Sequence, residues 1–169
     1  MNMQKTLITC VYAAAVAMVW SWASWYLIPW HHATLQKFSN EGAVLNVVME
    51  AAQISGAYMA PAEEKDAKEF AFVFVNKRGL QQPPLREMAF GFLTYFLASL
   101  LICFLLSMTK KLSEQKVLTF VTTIGLLAGI LCHVPQWIWL ATTIPHLLVG
   151  IADNLITWFL AGIIIAKTR

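Results

Sequence analysis

"VLTFVTTIGLLAGILCHVPQWIWLATTIPHLLVGIADNLITWFLAGIIIA", residues 117–166, decides the fold. It holds two apolar runs, Val117–Ala141 and Ile144–Ala166, with only Thr142 and Thr143 between them. Each run exceeds the ~20 residues that a helix rising ~1.5 Å per residue needs to cross a ~30 Å hydrocarbon core. So short a connection makes the two helices antiparallel neighbours. Thr143 stands where an N-cap is wanted, and Pro145 falls in the first turn, where its missing N–H costs nothing.

Outward from this pair, Leu7–Pro29 and Ala89–Met108 are two further spans. In lipid the backbone must satisfy its own polar groups, so all four are helices, and without alternating ten-residue strands a barrel is excluded. Composition agrees: 59% of the 169 residues are hydrophobic and 12% charged, against about 25% charged in a soluble domain. Mean hydropathy is +0.63. The net charge of +3 is scattered, with no basic stripe or arm for nucleic acid. The first span is too long for a signal-peptide core and reads as a retained helix. Cys10, Cys103 and Cys132 lie in apolar stretches without a CxxC, which reads as three small buried hydrophobes rather than a disulfide framework.

Residues 1–6, 109–116 and 167–169 carry six cations in 17 residues, whereas the loop 30–88 carries six in 59 beside seven acids. By the positive-inside tendency both termini face the cytoplasm and the loop faces the periplasm or exterior. Trp22, Trp25, Tyr26, Trp30, Trp137 and Trp139 suit an aromatic belt at the outer interface. Within the loop, "HHATLQKF" and "SNEGAVLNVVMEAAQ" look helical, the second capped by Ser39 or Asn40. "SGAYMAP" and "EFAFVFV" read as two short strands around the charged turn "AEEKDAKE". The expected fold is an all-α membrane protein: one domain, residues 1–169, a four-transmembrane-helix bundle with a small α/β extracytoplasmic cap between helices one and two.

Polar residues inside such a bundle are informative because they are expensive there. His133 precedes Thr143 by as many residues as Asp153 follows it, so both lie at one depth, ~15 Å below the turn. On the third span Gly125, Gly129, His133 and Gln136 share a stripe, and Gly125 and Gly129 form a GxxxG that admits a close neighbour. On the fourth span His146, Gly150, Asp153 and Thr157 do the same, and the first span offers Ala13, Ala17, Ser21 and Ser24. The expectation is that His133 neutralises Asp153, aided by Asn154 or Gln136. That pair is either a lock on the bundle or a ligand or proton site. Pro135 bends the third helix beside it.

His31, His32, His133 and His146 all fall in the outward half, and with carboxylates they form a candidate set of transition-metal ligands. The spacing matches no metal motif, and adjacent His31 and His32 diverge on a helix. Ser21 and Ser24 have no evident base at their depth. GxSxG, P-loop and dinucleotide fingerprints are absent from the sequence.

At "SWASWYLIPWHHATLQKF", "SGAYMAP", "GLLAGILCHVPQW" and "ADNLITWFLAGIIIAK" the chain resembles a family of small four-helix bacterial inner-membrane proteins. The elements typical of that family are W-x-x-L-P-W-H (Trp25 to His31 here, with Ile28 at the leucine position), SG-x-Y-x-x-P, H-x-P-x-W and an aspartate followed by WFLAG. The resemblance implies this fold and an inner-membrane address, draws attention to Pro29, Trp30, His31, Gly56, Tyr58, Pro61, His133, Pro135, Trp137 and Asp153, and implies no activity. Three functions stay open: a non-catalytic scaffold or accessory subunit binding a protein partner, a second copy or lipid; a metal, proton or ligand site around His133 and Asp153; and an intramembrane enzyme acting on lipid or quinone.

Overall fold

The computed structural model describes residues 3–62, 68–79 and 84–168. Most of the expected charged turn and part of the segment returning to the second span lie outside the described residues. In chain order the elements are α1 (Met3–Tyr26), α2 (Trp30–Ala33), α3 (Glu41–Ala51), β1 (Gly56–Ala60), β2 (Ala71–Val75), α4 (Leu85–Ser107), α5 (Glu114–Leu140) and α6 (Ile144–Thr168). Helices α1, α4, α5 and α6 are long and apolar enough to cross a membrane.

Their bounds differ from the apolar runs for local reasons. Helix α4 starts at Leu85 and α5 at Glu114, each with a glutamate in its first turn, where the helix dipole favours negative charge. Helix α1 ends at Tyr26, short of the expected Pro29, which instead precedes α2. Of "HHATLQKF" only the three residues that fall within α2 (Trp30–Ala33) are helical. There the Thr34 hydroxyl bonds back to the His31 carbonyl at 2.8 Å, a local competitor of helix propagation.

The chain forms two compact units, residues 1–35 with 85–169 and residues 36–84. In the first, α5 and α6 make the most extensive pairing, and α1 packs on both α6 and α4. The core joins Cys10, Ala13 and Ala17 of α1 to Cys103 and Leu106 of α4, Val121 of α5 and Ala161 of α6. Fully buried Ala13, Ala14 and Ala17 keep α1 narrow where neighbours approach. Cys10 and Cys103 are buried as expected and touch, Sγ to Sγ 3.7 Å, whereas Cys132 is exposed.

The α5–α6 seam uses the expected glycines. A β-carbon on Gly125 would lie 2.5 Å from Trp158 Cβ and 3.0 Å from the Asn154 carbonyl; one on Gly129 would lie 3.1 Å from Ile151 Cα. Gly150 answers from α6, where an added carbon would strike the His133 ring at 2.5 Å. In the turn Ala141 takes a left-handed φ of 53°. Thr143 Oγ1 accepts from the His146 amide at 3.3 Å.

In the second unit the Asn40 side chain caps α3 by accepting from the Ala43 amide at 3.0 Å. Strands β1 and β2 pair antiparallel, from Gly56 opposite Val75 to Ala60 opposite Ala71. Lys77 Nζ, just after β2, donates to the Met49 and Ala52 carbonyls at 2.9 and 2.6 Å, meeting the unsatisfied end of α3. The two strand faces differ, with Val75 buried and Phe74 exposed.

Gly125→Ala is expected to cost about 1–3 kcal/mol, because the new methyl meets backbone as well as Trp158. Gly91→Ala in α4, where nothing lies within 4 Å, should be neutral or gain about 0.5–1 kcal/mol. Unfolding of both variants in the same detergent checks the contrast.

Candidate functional site

Asp153 lies one-third of the way along α6, and three donors from the α1–α2 corner meet its carboxylate. Trp20 Nε1 donates to Oδ1 at 2.8 Å, Ser24 Oγ donates to Oδ1 at 2.7 Å, and His31 Nε2 lies 3.4 Å from Oδ2. The helix places two of these automatically, since residues four apart share a face. The third arrives because the chain turns at Pro29 and α2 returns His31 to the end of α1. The Asp153 side chain is 15% exposed and that of His31 5%, so the contact is largely shielded from solvent. Charge-assisted hydrogen bonds of this kind contribute about 1.5–3 kcal/mol each.

Ser24 is the hub. Its one hydroxyl proton goes to Asp153, so it accepts from His31 Nε2 at 3.0 Å and from Trp30 Nε1 at 3.0 Å. His31 therefore carries a proton on Nε2, shared between the serine oxygen and the carboxylate. Trp30 also reaches the Ser24 carbonyl at 3.1 Å, which lies in the last turn of α1 where carbonyls lack helical partners. The His31 ring stacks on Trp25 with centroids 4.0 Å apart and planes 3° from parallel, and meets Trp30 edge-on at 5.5 Å. Trp20 in turn meets Trp30 edge-on at 6.2 Å.

Ser24, His31 and Asp153 have the residue types of a hydrolytic triad but not its geometry. A triad needs one imidazole nitrogen toward the serine and the other toward the carboxylate. Here Nε2 faces both, and the serine proton is already given to the carboxylate.

The expected His133–Asp153 bond is replaced. His133 Nε2 instead accepts from Asn154 Nδ2 at 3.3 Å, and the same amide donates to the Gly150 carbonyl at 3.0 Å. The His133 ring lies over Gly150 at the α5–α6 seam, while Asp153 reaches toward α1. Since Nε2 accepts, the ring proton sits on Nδ1, which is buried without a hydrogen-bond partner among the described residues. Gln136 contacts Cys132 Sγ at 3.8 Å along its own helix, away from the carboxylate.

His146 Nδ1 donates to Thr34 Oγ1 at 2.9 Å, because that hydroxyl spends its proton on the His31 carbonyl. This fastens α2 to the start of α6. His32 is exposed and meets Trp25 edge-on at 6.3 Å. The candidate ligand set His31, His32, His133 and His146 is not assembled: among the described residues no group of three or more histidine, cysteine or acidic side chains is placed to hold a metal ion. Each of His31, His133 and His146 is oriented instead by a different polar neighbour.

Trp20 and Thr34 are site residues that the sequence reading does not single out, Trp30 enters it only through the resemblance and the aromatic belt, and Ser24, expected to lack a base, has His31 beside it. The overlooked signal is the i, i+4 pair Trp20 and Ser24, followed by a proline turn that brings a histidine back to their depth.

No family model, curated protein or solved structure matches the chain.

Burial holds the His31 pKa below its ordinary value; His146 and His32 push the same way, and Asp153 opposes them. Released, the ring takes up its proton near pH ~6.5; docked, it does so lower, so the docked state binds fewer protons between the two values. Stability therefore falls as pH drops below ~6.5. From about pH 7.5 to about 5.5, melting temperature should fall and Trp25 emission change. Both slopes should flatten in His31→Gln; an unchanged slope there would contradict the assignment.

Proposed function

We propose that this chain is an integral membrane protein that acts without catalysis, as a scaffold or accessory subunit binding a protein or lipid partner. The observation that carries this reading is the closure of the Asp153 site. Its carboxylate is occupied by Trp20, Ser24 and His31, and the serine's proton is committed, so neither group is offered to a substrate. Four long apolar helices support insertion, and the clustered lysines support a cytoplasmic lysine-rich end with residues 36–84 outside. The sequence resemblance supports a bacterial inner membrane.

A second reading, an outward proton or ligand site, is favoured by His133 Nδ1, a buried donor with no partner among the described residues. Such a group commonly calls for a water or a ligand.

Vesicles holding the purified chain and a pH-sensitive dye distinguish the two. The scaffold reading predicts proton leak within about two-fold of empty vesicles, unchanged by His133→Ala or Asp153→Asn, a difference well below the ~10-fold that 1.4 kcal/mol represents. It also predicts a subunit recovered at fixed stoichiometry after gentle extraction. Flux lost in His133→Ala, with the chain recovered alone, would overturn it.

A further inference from the structure

A shallow groove of about 430 Å³ runs along α5, lined by Leu112, Lys116, Thr119, Phe120, Thr123 and Leu127, among others. Below Lys116 its walls present no unmet polar group. The Thr119 and Thr123 hydroxyls donate to the Gln115 and Thr119 carbonyls at 2.9 and 2.8 Å, which satisfies them within the helix. From Lys116 to Leu127 the helix rises ~16 Å, close to half of a ~30 Å hydrocarbon core.

Charge gathers at the mouth of this groove. Contacts between Cys10 and Cys103, and the closeness of Gly162 to Val121, bring the start of α1, the end of α4, the start of α5 and the end of α6 together. That end carries Lys5, Lys110, Lys111, Lys116 and Lys167 against one acid among the described residues, Glu114. None of these lysines is in an ion pair with a described residue. Lys110 and Lys111 sit in the connection that also contributes Leu112 to the groove. A second groove, of about 320 Å³ along Ala15, Val16, Val19, Trp20, Ala23 and Leu160, has no cation in its lining.

We propose that the α5 groove binds one anionic phospholipid, with its phosphate at Lys116 and one acyl chain lying along the groove to Leu127. The length matches one leaflet, the wall is apolar, and the single charged side chain stands where a headgroup would be. Basic clusters at the cytoplasmic boundary attract anionic lipid by this electrostatics. The inference rests on the membrane reading and deepens it by naming a lipid partner and its site.

The test is reconstitution of the full chain into vesicles of phosphatidylcholine with phosphatidylglycerol of matched acyl chains, then detergent extraction and native mass spectrometry of retained lipid. The wild type should retain phosphatidylglycerol over phosphatidylcholine about five-fold, the effect of one lysine near the surface. Lys116→Gln should bring that ratio close to unity. Thr123→Phe, which fills the groove without touching charge, should lose the retained lipid altogether, whereas Val19→Phe in the cation-free groove should change nothing. Equal retention of both lipids, or a preference that survives both Lys116→Gln and Thr123→Phe, would overturn the site. A chain that carbonate washes off the vesicles would instead overturn the membrane reading itself, which is a separate outcome.

Discussion

A carboxylate on an apolar helix has to be met by donors, and at Asp153 this requirement organises the structure around it. Three side chains from one corner of the chain converge on it, and they are placed by elementary rules: four-residue spacing for Trp20 and Ser24, and a proline turn for His31. Ser24 can hold its place only by donating to the acid and accepting from the imidazole. The tautomer of His31 follows from that, and so does the exclusion of triad chemistry. Stacking on Trp25 and the Thr34–His146 bond then keep α2 against the ends of α1 and α6.

The two seams of α6 obey different physics. Toward α5 it meets glycines, and the contact is backbone against backbone, with His133 lying on Gly150. Toward α1 it meets alanines near one end and the Asp153 cluster near the other. The small residues permit closeness, and the carboxylate with its donors ties α6 to the α1–α2 corner. At the opposite end no lysine is in an ion pair with a described residue.

Much of this was legible in the sequence. Apolar runs gave the four helices, the two-residue connection gave an antiparallel α5–α6 pair, Thr143 and Asn40 announced their caps, and alternation gave the hairpin. The GxxxG of Gly125 and Gly129 pointed to the right neighbour. The carboxylate was also recognised as needing a partner, but the wrong imidazole was assigned. Depth along a helix can be counted from a turn, whereas rotation about the axis depends on which face the other helices claim. His133 meets Gly150 and Asn154, whereas Asp153 meets the α1–α2 corner. His31 lies beyond the end of its helix, and only the reversal at Pro29 returns it to the carboxylate. The same weakness applies to the four histidines, which depth counting assigns to one half of the bundle but which, among the described residues, do not gather into a ligand set.

The central claim is that His31, and not His133, is the imidazole energetically tied to Asp153. A double-mutant cycle in detergent measures this directly, using His31→Ala, His133→Ala, Asp153→Asn and the two pairs, each unfolded under the same conditions. The His31–Asp153 pair should show a coupling of about 1–3 kcal/mol, and His133–Asp153 should be additive within about 0.5 kcal/mol. Coupling carried by His133 with additivity at His31 would contradict the account.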